Sequence, residues 1–255
     1  MTDPLSPKDR IIFALDLPTL DEAVRYVDLL SGHVGVFKVG LELFCACGPA
    51  VVHAVNERTK GAGVFLDLKF HDIPATVRGA IRSASTLKAR FITVHCDEGR
   101  GLLKAAVEGG GSGTKVLGVT VLTSLSGEDF IDAGIDASRF PEPADLVLHR
   151  ARLARLAGCA GVVCSGLEVG MVRKEFGPAF LTVTPGIRGA GEAKGDQKRT
   201  VTPYEAVYNG ADYIVVGRPI RNAPDPVKAA DSIAGEIERA LEDRGERDIT
   251  GCGKT

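Results

Sequence analysis

The segment with the clearest chemical potential is Asp67–Pro74 (DLKFHDIP), in which carboxylates lie on both sides of a lysine. Asp67 and Lys69 are two residues apart at the end of a predicted strand, and strand side chains at that spacing point to the same face. A lysine held by carboxylates keeps its charge and can stabilise an anion or donate a proton. An ordinary ion pair at a strand end, followed by Asp72 capping a helix, would have the same pattern, so the segment alone leaves both interpretations open.

Two further charged residues accompany predicted strands earlier in the chain. Asp16 ends the first one, and Lys38 lies within the apolar run Phe37–Gly40 of the second. A lysine in an apolar strand is costly to bury unless it is paired. If the strands are neighbours, Asp16 and Lys38 converge with Asp67 and Lys69 at one mouth, where alternating charges support one another. Four charges at three successive strand ends favour a functional site.

The elements that must position these residues alternate between strand and helix. Short apolar runs predict eight strands: Ile11–Leu15, Val34–Val39, Val64–Leu68, Phe91–His95, Val116–Val121, Gly161–Cys164, Leu181–Thr184 and Tyr213–Val216. Amphipathic segments between them predict helices, among them Thr19–Leu30, Ala75–Leu87 and Pro226–Leu241. Thr19 and Glu22 have the spacing of a capping box. The pattern indicates a parallel α/β fold, and eight units favour a single (β/α)8 TIM-type barrel over an open sheet.

Length and composition agree with one catalytic domain. A chain of 255 residues suits one barrel, which we assign to residues 10–243, between a polar N-terminal tail of residues 1–9 and a polar C-terminal tail of residues 244–255. The net charge of −2 predicts no attraction to nucleic acid or membrane. The sequence lacks a signal-peptide core and a spanning apolar run, which predicts a cytoplasmic protein. Its six cysteines show no CxxC pair, so neither a disulfide nor a metal site is expected.

The segments after the seventh and eighth strands predict an anion site. Gly186–Thr200 is rich in glycine and lysine and follows the seventh strand, and Gly217-Arg218 follows the eighth. Phosphate sites of such barrels often lie after these two strands. Glycine lets backbone N–H groups approach an oxyanion, and arginine offers a two-pronged donor. The candidate residues are Arg188, Gln197, Gly217 and Arg218.

The histidines carry less information. His95 ends the fourth strand and His71 lies beside Lys69. A structural, hydrogen-bonded role is favoured for both over direct catalysis. No cluster of histidines and carboxylates with metal-ligand spacing occurs, so no metal is expected.

Six motifs in order show that the chain resembles the orotidine 5′-monophosphate decarboxylase family over Arg10 to Leu241. They are Ala14–Asp16, Phe37–Gly40, Asp67–Pro74, Thr120–Ser124, Thr184–Arg188 and Gly217–Ile220. The third motif is highly specific to this family. The resemblance implies a homodimeric barrel with active sites at the dimer interface, acting on the nucleotide OMP without metal or organic cofactor.

The resemblance also implies a role for each matching residue. Lys38, Asp67, Lys69 and Asp72 correspond to a charged tetrad, with Asp72 and Thr76 supplied by the partner subunit. Asp16 and Lys38 are expected to hold the ribose hydroxyls, and Thr123 and Pro185 to line the pyrimidine site. Gln197, Gly217 and Arg218 are expected to bind the phosphate, with Arg188 close to it. Lys69 is the expected cation and proton donor at C6 of the pyrimidine.

Two alternatives are weaker. Metal-dependent sugar-phosphate lyases, such as 3-keto-gulonate-phosphate decarboxylase, share the barrel and the D-x-K-x-x-D pattern, but they have an acidic residue where this chain has Lys38. A catalytically inactive nucleotide-binding protein would be expected to have lost part of the tetrad, and all four charged residues are present.

Overall fold

The computed structural model describes residues 5–59, 61–125, 127–189 and 199–251. Within these ranges, parallel strands form a closed barrel in chain order. The strands are β1 (Ile11–Ala14), β2 (Val36–Gly40), β3 (Gly63–Phe70), β4 (Phe91–His95), β5 (Lys115–Val119), β6 (Gly161–Val163), β7 (Leu181–Thr184) and β8 (Tyr213–Val216). All eight predicted strands are present, with ends shifted by at most two residues, so the (β/α)8 prediction is confirmed.

Helices surround the barrel and connect its strands. They are α1 (Leu20–Leu30), α2 (Leu41–Cys47), α3 (Ala50–Arg58), α4 (Pro74–Ser85), α5 (Arg100–Gly110), α6 (Gly127–Asp132), α7 (Pro143–Ala157), α8 (Val169–Phe176), α9 (Pro203–Tyr208), α10 (Arg218–Arg221) and α11 (Pro226–Gly251). The hydroxyl of Thr19 accepts from the Glu22 amide and caps α1, which is one of the two hydrogen bonds of the predicted capping box. Pro74 lies in the first turn of α4, where its missing N–H costs nothing.

The described part of the predicted C-terminal polar tail is helical. Helix α11 continues to Gly251, ten residues beyond the apolar periodicity that indicated it. At the start of this extension Arg244 donates to the backbone carbonyl of Val207 in α9, which ties the two helices together. Residues 241–251 are mostly charged and have no apolar stripe, so periodicity could not indicate a helix there. The N-terminal boundary also differs slightly, because a 3-10 turn at Lys8–Arg10 leads into β1.

The inward-facing side chains of the strands close the barrel at one end and leave it open at the other. Near the amino ends of the strands, inward side chains form a compact apolar layer: Ile12, Val36, Phe65, Phe91, Leu117, Val183 and Tyr213. The rings of Phe65 and Phe91 meet edge to face at 6.0 Å, and those of Phe91 and Tyr213 at 5.2 Å. This layer closes the barrel interior at the amino ends of the strands, so in the part of the chain that the structure describes the interior opens at the carboxyl ends.

Outward-facing strand residues pack against the helices in a second, larger core. Leu66, Ile92 and Ile214 belong to this layer and are fully buried. Within the part of the chain that the structure describes, no helix combines the length and apolar character needed to cross a membrane.

Candidate active site

The carboxyl ends of the strands surround a cavity of about 580 Å³. Its walls continue the inward rows by steps of two residues, for example from Phe65 to Asp67 and Lys69, and from Tyr213 to Val215 and Gly217. Nine of the predicted site residues line it: Asp16, Lys38, Asp67, Lys69, Thr123, Pro185, Arg188, Gly217 and Arg218. The structure therefore brings together residues that are up to 202 positions apart in the sequence.

The four strand-end charges form one alternating chain. The Nζ atom of Lys38 lies 2.9 Å from Oδ1 of Asp16 and 3.8 Å from Oδ2 of Asp67. The Nζ atom of Lys69 lies 2.8 Å from the same Oδ2 of Asp67. Only 10% of the Lys38 side chain and 12% of the Asp67 side chain are exposed, against 28% for Lys69. Lys69 therefore has the more exposed side chain of the two lysines, and it lines the cavity.

Asp67 is ionised by its surroundings in spite of its burial. Burial alone would raise the pKa of its carboxyl group, because it penalises the charged form. The ammonium groups of Lys38 and Lys69, and hydrogen bonds from Lys69 and Thr93, outweigh that effect and hold the pKa below its usual range. Asp67 is consequently a fixed anion that holds both lysines in place.

The backbone of β3 is irregular where it presents Lys69. Lys69 has a φ of 49°, a left-handed conformation that is uncommon outside glycine. The register between β3 and β4 also shifts between Leu66 and Phe70. The two side chains meet as predicted, but the simple alternation used to predict this breaks down at Lys69. Strained backbone of this kind often occurs at functional positions.

Gly40 leaves room for the ion pair between Lys38 and Asp16. A Cβ atom built on Gly40 would lie 2.9 Å from Nζ of Lys38 and 3.3 Å from Oδ1 of Asp16. The space beside Gly40 is therefore already occupied by the charged ends of these two side chains. This contact gives a physical reason for glycine at the end of the Phe37–Gly40 motif.

Basic residues from the last two strand ends line another part of the cavity. Arg188 follows β7, and Arg218 and Arg221 lie three residues apart in the single turn α10. Arg221 also donates to the backbone carbonyl of Asp16. Neither Arg221 nor Glu42, which also lines the cavity, was predicted from the sequence. The helical spacing from Arg218 could have indicated Arg221, whereas Glu42 at the start of α2 gave no signal.

A short backbone pairing holds the chain around Arg188. The Arg188 amide donates to the carbonyl of Val201 at 3.0 Å, and the Val201 amide donates to the carbonyl of Gly186 at 3.3 Å. Two residues before Val201, the guanidinium of Arg199 pairs with Glu168 at 2.9 Å, and both side chains are buried. The predicted residue Gln197 lies outside the described residues.

Asp72 and Thr76 are placed differently from the other predicted site residues. Both are exposed, and neither is among the described residues that line the cavity. Asp72 instead lines a separate depression with His71, Ile73 and Glu98, and its Oδ1 accepts from the backbone amide of Ile73 at 2.6 Å. Ile73 itself is 67% exposed. Within one chain, Asp72 therefore faces outward rather than toward the cavity of its own barrel.

His71 and His95 lie side by side next to this depression. Their rings are 5.6 Å apart, and Nε2 of His71 lies 3.2 Å from a carboxylate oxygen of Glu98. Burial lowers the pKa of His95, although Asp97 opposes the shift. Neither histidine is among the described cavity residues, and their structural role stays a prediction. No group of three or more His, Cys, Asp or Glu side chains suited to a metal ion occurs in the described ranges.

Fold and site together define a class: single-domain α/β barrels with a lysine–carboxylate array at the carboxyl ends of the strands. The sequence model of the orotidine 5′-phosphate decarboxylase / HUMPS family matches residues 9–233. The chain therefore belongs to that family, and the resemblance inferred from its motifs is confirmed.

Individual relatives agree with the family match. The chain is 48% identical over 238 residues to the orotidine 5′-phosphate decarboxylase of Desulfosudis oleivorans, covering 92% of this chain and 96% of the relative. It is 52% identical over 234 residues to that of Anaeromyxobacter sp. (strain K), covering 91% and 100%. The crystal structure of orotidine 5′-phosphate decarboxylase from Lactobacillus acidophilus is similar with a TM-score of 0.75 and 37% identity, over 89% of this chain and 98% of that one.

Proposed function

We propose that the chain decarboxylates orotidine 5′-monophosphate to UMP and CO2, the last step of de novo UMP biosynthesis, without a metal or organic cofactor. The observation that carries the proposal is the ammonium group of Lys69, held 2.8 Å from Asp67 at the wall of the cavity. The relatives reported above are named for this activity. A cytoplasmic location stays a prediction from the sequence.

The chemistry requires a cation at one carbon atom. When the bond between C6 and the carboxylate breaks, CO2 leaves and the electron pair stays on C6. A preorganised ammonium group beside C6 stabilises this charge in a low-dielectric site. Lys69 then transfers a proton from Nζ to C6, which gives UMP, and recovers a proton from solvent. Asp67 holds Lys69 in position for both steps.

The remaining cavity residues suit the other parts of the nucleotide. Asp16 and Lys38 form a hydrogen-bonding pair for the ribose hydroxyls, and Thr123 and Pro185 line the cavity together with the apolar residues Val119 and Val121, which suits a pyrimidine ring. Arg188, Gly217 and Arg218, with Gln197, bind the phosphate. Five basic and three acidic side chains line the described cavity, so an anionic ligand is favoured locally although the whole chain carries a charge of −2.

Asp72 and Thr76 act in the active site of a partner subunit. Their exposure, and the position of Asp72 outside the cavity of its own barrel, support this part of the proposal. In a twofold symmetric homodimer each chain would then supply Asp72 to the Lys69 of the other. Asp72 would become the second carboxylate beside Lys69.

A spectrophotometric assay tests the proposal. Purified protein is mixed with OMP in the presence of EDTA, and the loss of OMP absorbance is followed together with UMP formation. We expect turnover in EDTA by the wild type. In Lys69→Ala we expect kcat to fall by far more than tenfold. A tenfold loss alone corresponds to about 1.4 kcal/mol.

Three outcomes would contradict the proposal. Turnover of OMP that disappears with EDTA and returns with a divalent ion would contradict the cofactor-free reaction, because Lys38 is expected to repel such an ion. No turnover of OMP, together with metal-dependent decarboxylation of a sugar phosphate, would favour the sugar-phosphate lyases of the same barrel group. A Lys69→Ala variant that keeps more than a tenth of wild-type kcat would show that Lys69 is not the central residue.

A further inference from the structure

Thr93 is a fully buried polar residue that connects the two central residues of the site. It lies in β4, two residues after the inward-facing Phe91, with no exposed surface. Its hydroxyl oxygen lies 2.9 Å from the backbone nitrogen of Lys69 and 3.0 Å from Oδ1 of Asp67. Thr93 itself is not among the described residues that line the cavity.

The direction of both hydrogen bonds follows from the groups involved. The backbone N–H of Lys69 can only donate, and the ionised carboxylate of Asp67 can only accept. A hydroxyl group has one proton and two lone pairs, so Thr93 accepts from Lys69 and donates to Asp67. A valine of the same shape could make neither bond, whereas a serine could make both.

The same hydroxyl lies where the regular hydrogen bonding of the barrel is interrupted. The register between β3 and β4 shifts between Leu66 and Phe70, and Lys69 has a left-handed backbone. The Thr93 side chain supplies a partner for the Lys69 amide at this break. A buried amide without a partner would favour a different local conformation.

We propose that Thr93 is a positioning residue, whose hydroxyl holds the left-handed backbone of Lys69 and the carboxylate of Asp67 in one arrangement and thereby aims the Lys69 ammonium group. The inference rests on the proposed function, because it concerns the placement of the proposed proton donor. Thr93 acts through Lys69 and Asp67 and not on the substrate.

The test compares three substitutions in the full-length protein. Thr93→Val keeps the shape and removes the hydroxyl, and Thr93→Ser keeps the hydroxyl. Thr114→Val is the matched control. Thr114, like Thr93, is a buried threonine; it lies just before β5, and its hydroxyl donates to the backbone carbonyl of Ala89. Far-ultraviolet circular dichroism and thermal melting show whether each variant is folded.

We expect Thr93→Val to lower kcat on the order of a hundredfold, because a small misplacement of a catalytic group has effects of this size. KM for OMP and the affinity for UMP should change less than about threefold, because the binding groups are untouched. Thr93→Ser and Thr114→Val should keep kcat within about threefold of the wild type. If Thr93→Val does not fold, Thr93→Ala is assayed against the same limits.

Three outcomes would overturn the inference. They are a folded Thr93→Val variant with more than a third of wild-type kcat, a loss that appears in KM instead of kcat, and a folded Thr93→Ser variant as slow as Thr93→Val. Lys69→Ala, assayed in parallel, separates this inference from the proposed function. An inactive Lys69→Ala beside a fully active Thr93→Val contradicts only the positioning role, whereas an active Lys69→Ala contradicts the proposed function itself.

Discussion

At the residue scale, the ion pair between Lys38 and Asp16 depends on the lack of a side chain at Gly40. Gly40 has no Cβ, and the charged ends of both side chains occupy the space where one would lie. Because these ends are flexible, a methyl group there would displace them rather than disrupt the fold. The expected damage is therefore to binding and catalysis.

We predict that Gly40→Ala lowers kcat/KM for OMP by about tenfold or more, or about 1.4 kcal/mol. The midpoint of urea unfolding should change little. Gly235→Ala in α11 is the control, because a Cβ there has no neighbour within 4 Å among the described residues, and it should leave kcat/KM unchanged. Equal kcat/KM for Gly40→Ala and the wild type would show that the Lys38–Asp16 arrangement tolerates displacement.

Asp67 gives a prediction that depends on pH. Its folded-state pKa is lowered, so its charge stabilises the fold above its unfolded pKa of about 3.9, and this contribution is lost as pH falls through the folded pKa. Asp67→Asn should therefore lower the free energy of unfolding by about 2 kcal/mol at pH 7 and by the same amount at pH 5. At pH 3 and below, the deficit should shrink. Urea unfolding at the three pH values measures it, and a deficit that stays constant down to pH 2 would contradict the lowered pKa.

The sequence predicts the charged residues of the cavity better than the groups that hold them. Asp16, Lys38, Asp67 and Lys69 were recognisable because charges at the ends of apolar strands are unusual. Thr93 was not, because threonine is common in strands and carries no such signal. The left-handed backbone of Lys69 was equally hidden, since it arises from a register shift between two strands.

At the element scale, a buried ion pair joins the loop after β6 to the chain that leads into α9. Arg199 and Glu168 have side chains that are 10% and 6% exposed, and Nε and Nη1 of Arg199 are buried without a hydrogen-bond partner among the described residues. Burial raises the pKa of Glu168, although Arg199 opposes the shift. Val201 then fixes the backbone of Gly186 and Arg188. The pair therefore supports one wall of the cavity from outside.

We predict that Arg199→Met destabilises the protein more at pH 8 than at pH 5. Without Arg199, the pKa of Glu168 in the folded protein rises further above its value in the unfolded chain. The variant is therefore least destabilised below the unfolded pKa, where Glu168 is protonated, and it loses stability as pH rises through the folded pKa. At pH 8, Arg199→Met should lower the free energy of unfolding by about 3–5 kcal/mol. Urea unfolding at both pH values measures the difference between variant and wild type.

The exposed pair between Arg152 and Glu175 provides the control. Their side chains are 53% and 30% exposed, so Arg152→Met should cost less than about 1 kcal/mol at either pH. An Arg199→Met deficit that is equal at pH 5 and pH 8 would mean that Glu168 does not titrate in this range.

The elements themselves were largely predictable. The eight strands were indicated because each is a short apolar run enclosed between helices, which is typical of parallel strands buried on both faces. The last ten residues of α11 were not indicated, because they have no apolar periodicity although most of the charged ones favour helix. The single turn α10 was too short to show apolar periodicity, although the spacing of Arg218 and Arg221 fits one helical turn.

At the scale of the whole molecule, the proposed shared active site depends on where Asp72 lies relative to Lys69. Lys69 faces the cavity from the end of β3. Asp72 lies just before α4 and lines the separate depression, beside the exposed Ile73. Sequence alone could not place Asp72, because the turn between Lys69 and α4 permits either direction. The exposed apolar surface beside Asp72 is suited to burial against a second copy of the chain.

Mixed dimers of two inactive variants test the shared site. Lys69→Ala and Asp72→Ala homodimers should each show little activity. In a heterodimer, one site would contain both substitutions and the other neither. Because random assortment makes half of the dimers mixed and restores one of their two sites, co-refolding at equal concentrations should recover about a quarter of wild-type activity.

A mixture of the Lys69→Ala and Lys38→Ala variants provides the control. Both residues line the cavity of their own chain, so every site of their heterodimer keeps one substitution. If tagged heterodimers are isolated and the Lys69→Ala/Asp72→Ala mixture is no more active than this control, Asp72 acts within its own chain.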